Sequence, residues 1–331
     1  MKVVITGGAG FLGGRLARAI LARPILVAPS GQSEEVDELL LFDSADPPPE
    51  LAGAGPRVRC TSGDIADRER VGDLIDRDDI TVFHLASVVS AGGEIDFDGA
   101  LRVNLDGTLN VLEACRARGG RPRLVFASSI AVFGGAAMPA VVGDSTKRTP
   151  QTTYGVTKAI GELLVNDYTR KGFLDGRSAR LPTIIIRPGR PNAAASSFAS
   201  GVFREPLNGV PCRLPVALET RMPVLGYRSA VAGLLRLQAI DGAALGDDRA
   251  VSLPSLDASV GEMIAALRRV AGERPLGEIE VLPDARIEAI VASWPGASSH
   301  SRAAAFGLPV EPDLDEIVRA YIEDYVPDRA P

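Results

Sequence analysis

The sequence predicts an α/β fold in which helices cover both faces of a doubly wound parallel sheet, followed by a smaller C-terminal region. Short apolar segments alternate with helix-forming segments as far as Pro188, which is the pattern of repeated βαβ units. A glycine-rich string follows the first apolar segment and opens a helix. The length of 331 residues is enough for one large domain and a smaller appended part.

Six strands are expected in the first part of the chain, because each candidate is short, apolar and bounded by turn-forming residues. They are residues 2–6, 38–43, 57–60, 80–86, 123–128 and 184–187, and Pro188 ends the last of them. Helices are expected between them at residues 15–22, 68–77, 100–117 and 154–170. The pattern loosens after Pro188, where helices are expected at residues 231–238, 260–270 and 313–325.

Composition excludes several classes of protein. The net charge of -6 and the absence of a basic stripe give no support to nucleic-acid binding. Three cysteines and two histidines, at unsuitable spacing, predict neither a disulfide framework nor a metal site. No apolar run reaches the length of a membrane span, and the N-terminus lacks a signal-peptide pattern. A cytoplasmic protein without membrane attachment is therefore expected.

The glycine string T-G-G-A-G-F-L-G, which places glycines at 7, 10 and 13, predicts a dinucleotide site. Glycine permits the sharp turn after the strand and lets backbone N–H groups approach a pyrophosphate at the helix N-terminus. The alternative is an ordinary tight turn of a βα unit. With the dinucleotide interpretation, residues 1–187 form the NAD-binding domain. Residues 188–331 form the smaller substrate-binding region, of which some segments return to the main sheet.

Acidic residues at the ends of the second and third strands are candidates for holding the adenosine part. Asp43 ends L-L-L-F-D and is expected to bind the ribose hydroxyls, although a solvent-exposed carboxylate is the alternative. No arginine follows it closely, which favours NAD over NADP. Asp64 is equally suited to accept from the adenine amino group, with Ile65 on the ring, or to cap the next helix. His84 lies inside an apolar strand and is expected to be a core histidine.

Tyr154 and Lys158 are four residues apart in Y-G-V-T-K, so a helix would place both on one face. A neighbouring ammonium stabilises a phenolate, which allows the tyrosine to take a proton from a hydroxyl near neutral pH. Ser129 ends the strand R-L-V-F-A-S-S and could polarise the reacting oxygen, with Ser128 as its rival. The alternative is an ordinary exposed helix pair. We interpret Ser129, Tyr154 and Lys158 as catalytic.

These strings, together with H-L-A-S, N-L-D-G-T and S-S-I-A-V-F-G, resemble the extended short-chain dehydrogenase/reductases from Met1 to Pro188. The resemblance implies a Rossmann fold, NAD as cofactor, no metal, and a homodimer formed by helices near 100–117 and 154–170. It also implies roles for a set of cofactor-binding residues, among which Asn104 either orders a relay water or is a helix-surface amide. The set is Gly7, Gly10, Phe11, Leu12, Asp43, Asp64, Ile65, Leu85, Ala86, Asn104, Tyr154, Lys158 and Pro188.

Two further strings, at residues 87–98 and 181–207, are similar to those of family members that oxidise four-carbon sugar acids. The resemblance implies NAD-dependent oxidation of the C2 hydroxyl of D-erythronate, a small-molecule substrate. The residues that would contact it are Ser87, Ser90, Ser129, Tyr154, Asn192 and Ser197. An arginine would pair with its carboxylate, and four are candidates that the sequence does not separate: Arg190, Arg204, Arg213 and Arg221.

Two other functions remain open at this point. A sugar-nucleotide epimerase or dehydratase would recycle its NAD, but the small residues 193–197 suit a small acid better than a nucleotide sugar. A non-catalytic NAD-sensing protein is the second, and the presence of both Tyr154 and Lys158 argues against it. Fold alone does not decide among the three functions.

Overall fold

The computed structural model describes residues 1–55, 57–191 and 195–326. Its strands, numbered in chain order, are β1 Lys2–Thr6, β2 Ile25–Val27, β3 Ser33–Glu35, β4 Glu38–Asp43, β5 Val58–Ser62, β6 Ile80–His84, β7 Arg123–Ser129, β8 Val141–Val142, β9 Asp175–Leu181, β10 Thr183–Ile185, β11 Cys212–Leu214, β12 Arg221–Gly226, β13 Ala250–Ser252, β14 Leu256–Ser259, β15 Ile279–Val281 and β16 Ala297–Ser298.

The helices of the described residues include one at each of the seven positions expected from the sequence. They are α1 Phe11–Ala22, α2 Pro49–Ala52, α3 Arg68–Leu74, α4 Ser90–Ile95, α5 Phe97–Leu101, α6 Gly107–Arg118, α7 Thr153–Arg170, α8 Ser197–Leu207, α9 Tyr227–Ala239, α10 Gly242–Leu245, α11 Val260–Ala271, α12 Ala285–Val291, α13 Ser301–Ala305 and α14 Leu314–Tyr325. A π-helical turn, Arg102–Asp106, joins α5 to α6, and a 3₁₀ turn, Ile130–Val132, follows β7.

The chain divides into two compact units. The first comprises residues 1–132, 152–180 and 233–251, and the second comprises residues 133–151, 181–232 and 252–331. The chain therefore passes from one unit to the other several times. The boundary predicted between residues 187 and 188 lies close to one of these crossings and stays a prediction about domain organisation.

The first unit contains a seven-stranded sheet in the order β13-β9-β7-β6-β1-β4-β5. The pairings β1–β4, β1–β6, β4–β5 and β6–β7 are parallel. All five residues of β1 and all five of β6 are buried, as expected for central strands covered on both faces. This order, with strands added to both sides of β1, is that of a doubly wound sheet, so the predicted fold class is confirmed.

The register brings the carboxyl ends of the central strands to one edge. Thr6, the last residue of β1, lies opposite Phe42 of β4 and His84 of β6, and His84 lies opposite Phe126 of β7. Segments that leave these strands therefore start side by side. In doubly wound sheets, ligands bind at this edge.

The sixth strand of the main sheet is β9, whereas the sequence analysis placed it at residues 184–187, so that prediction was wrong. The segment of β9 reads D-G-R-S-A-R-L and carries two arginines, which do not resemble a buried strand. Arg177 is buried because it pairs with Asp175 and donates to the Gln238 carbonyl, and Arg180 is buried because it pairs with Glu162. The predicted segment instead contains β10, which belongs to the second unit.

The second unit contains the three-stranded sheet β10-β12-β14 and the two-stranded pairs β11-β15 and β8-β16. Its two 12-residue helices, α11 and α14, start at polar caps. Ser259 and Glu262 form a reciprocal capping box at α11, and the Asp313 carboxylate accepts from the Glu316 N–H at α14. Both helices were predicted within one residue of these starts.

Within the described ranges, no helix combines the length and apolarity needed to cross a lipid bilayer. The same part of the chain contains no group of three or more His, Cys, Asp or Glu side chains arranged to hold a metal ion.

Candidate active site

The glycine turn packs directly against the end of β6. Gly7 has a φ of +74°, and a Cβ at this position would lie 2.8 Å from the backbone nitrogen of Ala86. A Cβ at Gly13 would overlap the carbonyl oxygen of Gly7. Gly10 is the N-cap of α1, and no side chain caps this helix. The N-terminus of α1 is thus left to backbone N–H groups, which is the arrangement that suits a pyrophosphate.

A cavity of about 350 Å³ opens beside this turn in the first unit. Most of its lining comes from residues that the sequence analysis assigned to the cofactor or the substrate, namely Gly7, Gly10, Asp43, Asp64, Ile65, Leu85, Ala86 and Ser87. The remaining lining residues were not predicted from the sequence, and they are Phe42, Ser44, Gly63, Val88 and Val103. Each of them is a chain neighbour of a predicted residue, so extending each motif by one position would have found them.

Asp43 ties the end of β4 to the glycine turn. Its Oδ2 accepts from the Ala9 N–H at 3.0 Å, and its Oδ1 accepts from the Ala45 N–H at 3.2 Å. The carboxylate therefore stands at the cavity wall in a fixed orientation. No lysine or arginine is among the described residues that line this cavity.

Asp64 has a partner that sequence analysis missed. Its Oδ1 accepts from the Ala66 N–H at 2.9 Å, and its Oδ2 pairs with Arg102 of the π-helical turn. The hydrogen bond from Arg102 lowers the pKa of Asp64 below its usual value. The cap of α3 is Asp67, so the helix-capping alternative for Asp64 is not what the structure contains.

Asn104 is buried in the π-helical turn and is not a surface amide. Its Oδ1 accepts from the Val88 N–H at 2.7 Å and from the Ser87 hydroxyl at 3.0 Å. Its Nδ2 donates to the Val88 carbonyl at 3.0 Å and to Thr157 Oγ1 at 3.3 Å. One amide thus joins a wall of the cavity to α7.

The predicted catalytic residues meet at the start of α7. Thr152 begins this helix by accepting from the Gly155 N–H at 3.0 Å, which sets Tyr154 and Lys158 one turn apart. Lys158 Nζ lies 5.5 Å from the centre of the Tyr154 ring. Ser129 is hydrogen-bonded to the Tyr154 side chain. The rival serine, Ser128, donates instead to Glu162 Oε1 at 2.6 Å.

Burial acts on both ionisable groups of this pair. It raises the pKa of Tyr154, and the hydrogen bond with Ser129 acts in the opposite direction. Burial lowers the pKa of Lys158 to about 7. A lysine that changes charge near neutral pH beside a tyrosine is suited to control the protonation of that tyrosine.

The other predicted site residues are distributed over both units. Phe11 and Leu12 form the first turn of α1, and Ser90 is the first residue of α4. Pro188 and Ser197 belong to the second unit, where Ser197 begins α8. Asn192 lies outside the described residues.

Of the four arginines considered for a carboxylate, two have internal partners in the second unit. Arg204 is buried, donates to the Arg187 carbonyl at 2.8 Å and pairs with Glu205. Arg221 donates to the Asp257 carbonyl at 2.7 Å and pairs with Glu262. A new anion would have to compete with these contacts.

Comparison with known proteins assigns the chain to a family. A model of the NAD dependent epimerase/dehydratase family matches residues 3–238. The chain belongs to this family. The family description calls its members NAD dependent. The resemblance to extended short-chain dehydrogenase/reductases is thereby confirmed.

Individual proteins match nearly the full chain. A D-erythronate dehydrogenase of Cupriavidus necator is 50% identical over 98% of each chain. A D-erythronate dehydrogenase of Haemophilus influenzae is 40% identical over 98% of this chain and 99% of its own. A crystal structure described as a nucleoside-diphosphate-sugar epimerase from Agrobacterium tumefaciens has a TM-score of 0.90 and 40% identity, covering 98% of this chain and 94% of its own.

The close approach at Gly7 predicts a large effect of adding one methyl group there. We expect Gly7→Ala to lower the free energy of unfolding by about 3 kcal/mol, because left-handed strain of about 1 kcal/mol adds to overpacking of about 2 kcal/mol. Gly31→Ala is the control, since Gly31 has a φ of +83° but open space around it. Urea unfolding measures both variants. Equal losses in the two would contradict tight packing at Gly7.

Proposed function

We propose that this protein oxidises the C2 hydroxyl of D-erythronate to the 2-oxo acid with NAD as hydride acceptor. The observation that carries the proposal is the 50% identity, over 98% of both chains, with a D-erythronate dehydrogenase. The arrangement of Ser129, Tyr154 and Lys158 supports it, because these residues supply the proton transfer that such an oxidation requires.

Each catalytic side chain has a distinct role in the proposed reaction. The Ser129 hydroxyl holds the substrate oxygen, and Tyr154 takes the proton from the C2 hydroxyl. The Lys158 ammonium stabilises the Tyr154 phenolate that accepts this proton, through the positive charge that it carries below its pKa. A bound NAD would supply the acceptor for the hydride that leaves C2.

We further propose that the protein prefers NAD to NADP. The Asp43 carboxylate, oriented by the N–H groups of Ala9 and Ala45, stands at the wall of the cavity beside the glycine turn. There it would accept from both hydroxyls of the adenosine ribose and repel a 2′-phosphate. We also propose a cytoplasmic location, where the free thiols of Cys60, Cys115 and Cys212 would stay reduced.

The direct test mixes the purified protein with NAD and D-erythronate and follows the absorbance of reduced NAD. We expect sustained production of reduced NAD, slower with NADP, and at least about 100-fold lower kcat for Tyr154→Phe, which loses the proton-accepting hydroxyl. NAD titration controls for intact cofactor binding in the variant. NAD binding without turnover of D-erythronate or related sugar acids would overturn the substrate assignment.

A nucleotide-sugar substrate is the second candidate, because the Agrobacterium tumefaciens chain, 40% identical, is described as a nucleoside-diphosphate-sugar epimerase. This reaction regenerates its NAD and would not accumulate the reduced form. The same protein preparation should therefore be incubated with nucleotide sugars, and the products should be separated chromatographically. Epimerised sugar without net reduction of NAD would favour the second candidate.

The pKa shifts of the catalytic pair predict how the pH dependence responds to loss of the lysine. In Lys158→Met the ammonium is gone while burial still raises the pKa of Tyr154. We therefore expect lower kcat/KM at neutral pH and a shift of the acidic limb of the pH profile to higher pH. Lys171→Met removes an exposed lysine just after α7 and should leave the profile unchanged. An unmoved acidic limb in Lys158→Met would contradict the proposed role.

We propose that two copies of the chain associate through the surface around α4, α5 and α7. This surface carries large apolar side chains that are exposed in one chain, with exposed fractions of 73% for Ile95, 58% for Phe97 and 54% for Leu163. Exposed apolar groups concentrated on neighbouring helices are typical of an interface. α7 was part of the predicted interface, whereas Ile95 and Phe97 precede residues 100–117.

A charge in this surface should separate the copies. We expect Leu163→Glu to convert a dimer to a monomer, because the introduced carboxylate would be buried without a partner at the interface. Leu218→Glu, at a 40% exposed leucine of the second unit, is the control and should remain dimeric. Light scattering after size-exclusion chromatography gives both masses. A wild-type monomer would refute the homodimer.

A further inference from the structure

His84 is buried at the carboxyl end of β6, where it joins two other elements. Only 1% of its surface is exposed. Its Nδ1 lies 2.7 Å from the hydroxyl of Thr6, the last residue of β1, and its Nε2 lies 3.0 Å from the hydroxyl of Thr108 in α6. Both ring nitrogens of His84 therefore take part in hydrogen bonds.

The neighbouring hydrogen bonds determine which nitrogen carries the proton. The Thr108 hydroxyl donates its single proton to the Asn104 carbonyl at 2.6 Å. It can therefore only accept from His84, which requires a proton on Nε2. In the neutral ring Nδ1 is then an acceptor, so the Thr6 hydroxyl donates to it. Thr6 Oγ1 in turn accepts from the Ala86 N–H at 3.3 Å.

All these bonds run in one direction, from the Ala86 N–H through Thr6, His84 and Thr108 to the Asn104 carbonyl. The two residues at the ends of this chain of hydrogen bonds, Ala86 and Asn104, belong to the candidate active site. Ala86 lines the cofactor cavity, and Asn104 holds the wall residues Ser87 and Val88 through its side chain. The chain of bonds thus closes a loop around residues 85–88.

We propose that His84, held as the Nε2–H tautomer, is a positioning residue that sets residues 85–88 for binding of the dinucleotide. The proposal rests on the proposed binding of NAD but not on the identity of the sugar acid. The other neutral tautomer would leave Nε2 and the Thr108 oxygen as two buried acceptors facing each other, which costs free energy. The tautomer therefore specifies one geometry of this wall.

The charges around His84 are compatible with a permanently neutral ring. Burial is the larger cause and the charge of Lys158 the smaller cause that together lower the pKa of His84 to about 3. The ring also lies 5.8 Å from that of Phe126, on whose face Lys158 Nζ lies at 4.9 Å. The facing groups are Thr6, Thr108, Phe126 and Lys158, and Lys158 is the one charged group that shifts this pKa. A neutral His84 avoids repulsion with the catalytic ammonium.

The first test observes the tautomer directly. His84 and His300 are the two histidines of the chain, so ¹⁵N-histidine NMR of the full-length protein gives two sets of ring signals. A His300→Asn variant assigns them. We expect the His84 signals of a neutral Nε2–H ring, unchanged between about pH 5 and 8, where an ordinary histidine titrates. An Nδ1–H ring or a titrating His84 would overturn the proposal.

The second test separates positioning from a general contribution to stability. Thr108→Val removes the acceptor of the Nε2 proton with little change in shape, whereas Thr108→Ser keeps it. We expect the NAD dissociation constant to rise about tenfold in Thr108→Val and to stay within about twofold of wild type in Thr108→Ser. His84→Phe should also weaken NAD binding.

The matched control is Thr81→Val. Thr81 is near the start of β6, the strand that ends at His84, and its buried hydroxyl oxygen lies 3.4 Å from Gln238 Nε2. This variant should lose comparable stability and keep its affinity for NAD. Equal NAD affinity in Thr108→Val and Thr81→Val would show that the network is only structural and overturn the proposal. Failure of the wild type to oxidise D-erythronate would refute the substrate alone, because NAD titration does not depend on it.

Discussion

The close packing of the Gly7 turn against the end of β6 is the constraint on which the site depends. A parallel register brings Thr6 and His84 to the same level, so the segments after them must share one narrow space. Only a residue without a Cβ fits there, since a side chain at Gly7 would meet the backbone of Ala86 at 2.8 Å. The cavity beside the turn and the hydrogen bonds of Thr6 both follow from this approach.

The second requirement is that α7 bury ionisable side chains against β7. Tyr154, Lys158 and Glu162 are spaced by four residues and therefore form one stripe. Glu162 pairs with Arg180 through two hydrogen bonds of 2.8 Å and accepts from Ser128, so its charge is compensated where water is absent. Gly161 lets the helix approach Phe126, whose ring lies under the lysine ammonium. The proposed catalytic residues and the buried ion pair of Glu162 therefore lie on one face of α7.

The features predicted from sequence are those encoded by local chemistry. A few neighbouring residues are enough to recognise the glycine string, the pair Tyr154 and Lys158, and the apolar strands. β9 could not be recognised in this way, because its arginines are buried by partners such as the Gln238 carbonyl, far along the chain. Arg102 likewise meets Asp64 only after folding. The π-helical turn that buries Asn104 has no sequence signature, which is why its amide was left undecided.

Because the chain divides into two units, the family model and the full-length relatives support different conclusions about function. Ser129, Tyr154, Lys158 and the cofactor cavity all belong to the first unit, and the family model ends at residue 238, before the second unit's C-terminal segment begins at residue 252. Family membership therefore supports the cofactor and the proton transfer, which many substrates could share. The substrate has to be argued from similarity that continues beyond that point. The match to the Cupriavidus necator enzyme does so, because it covers 98% of the chain. It therefore includes α10 to α14, which the family model does not cover.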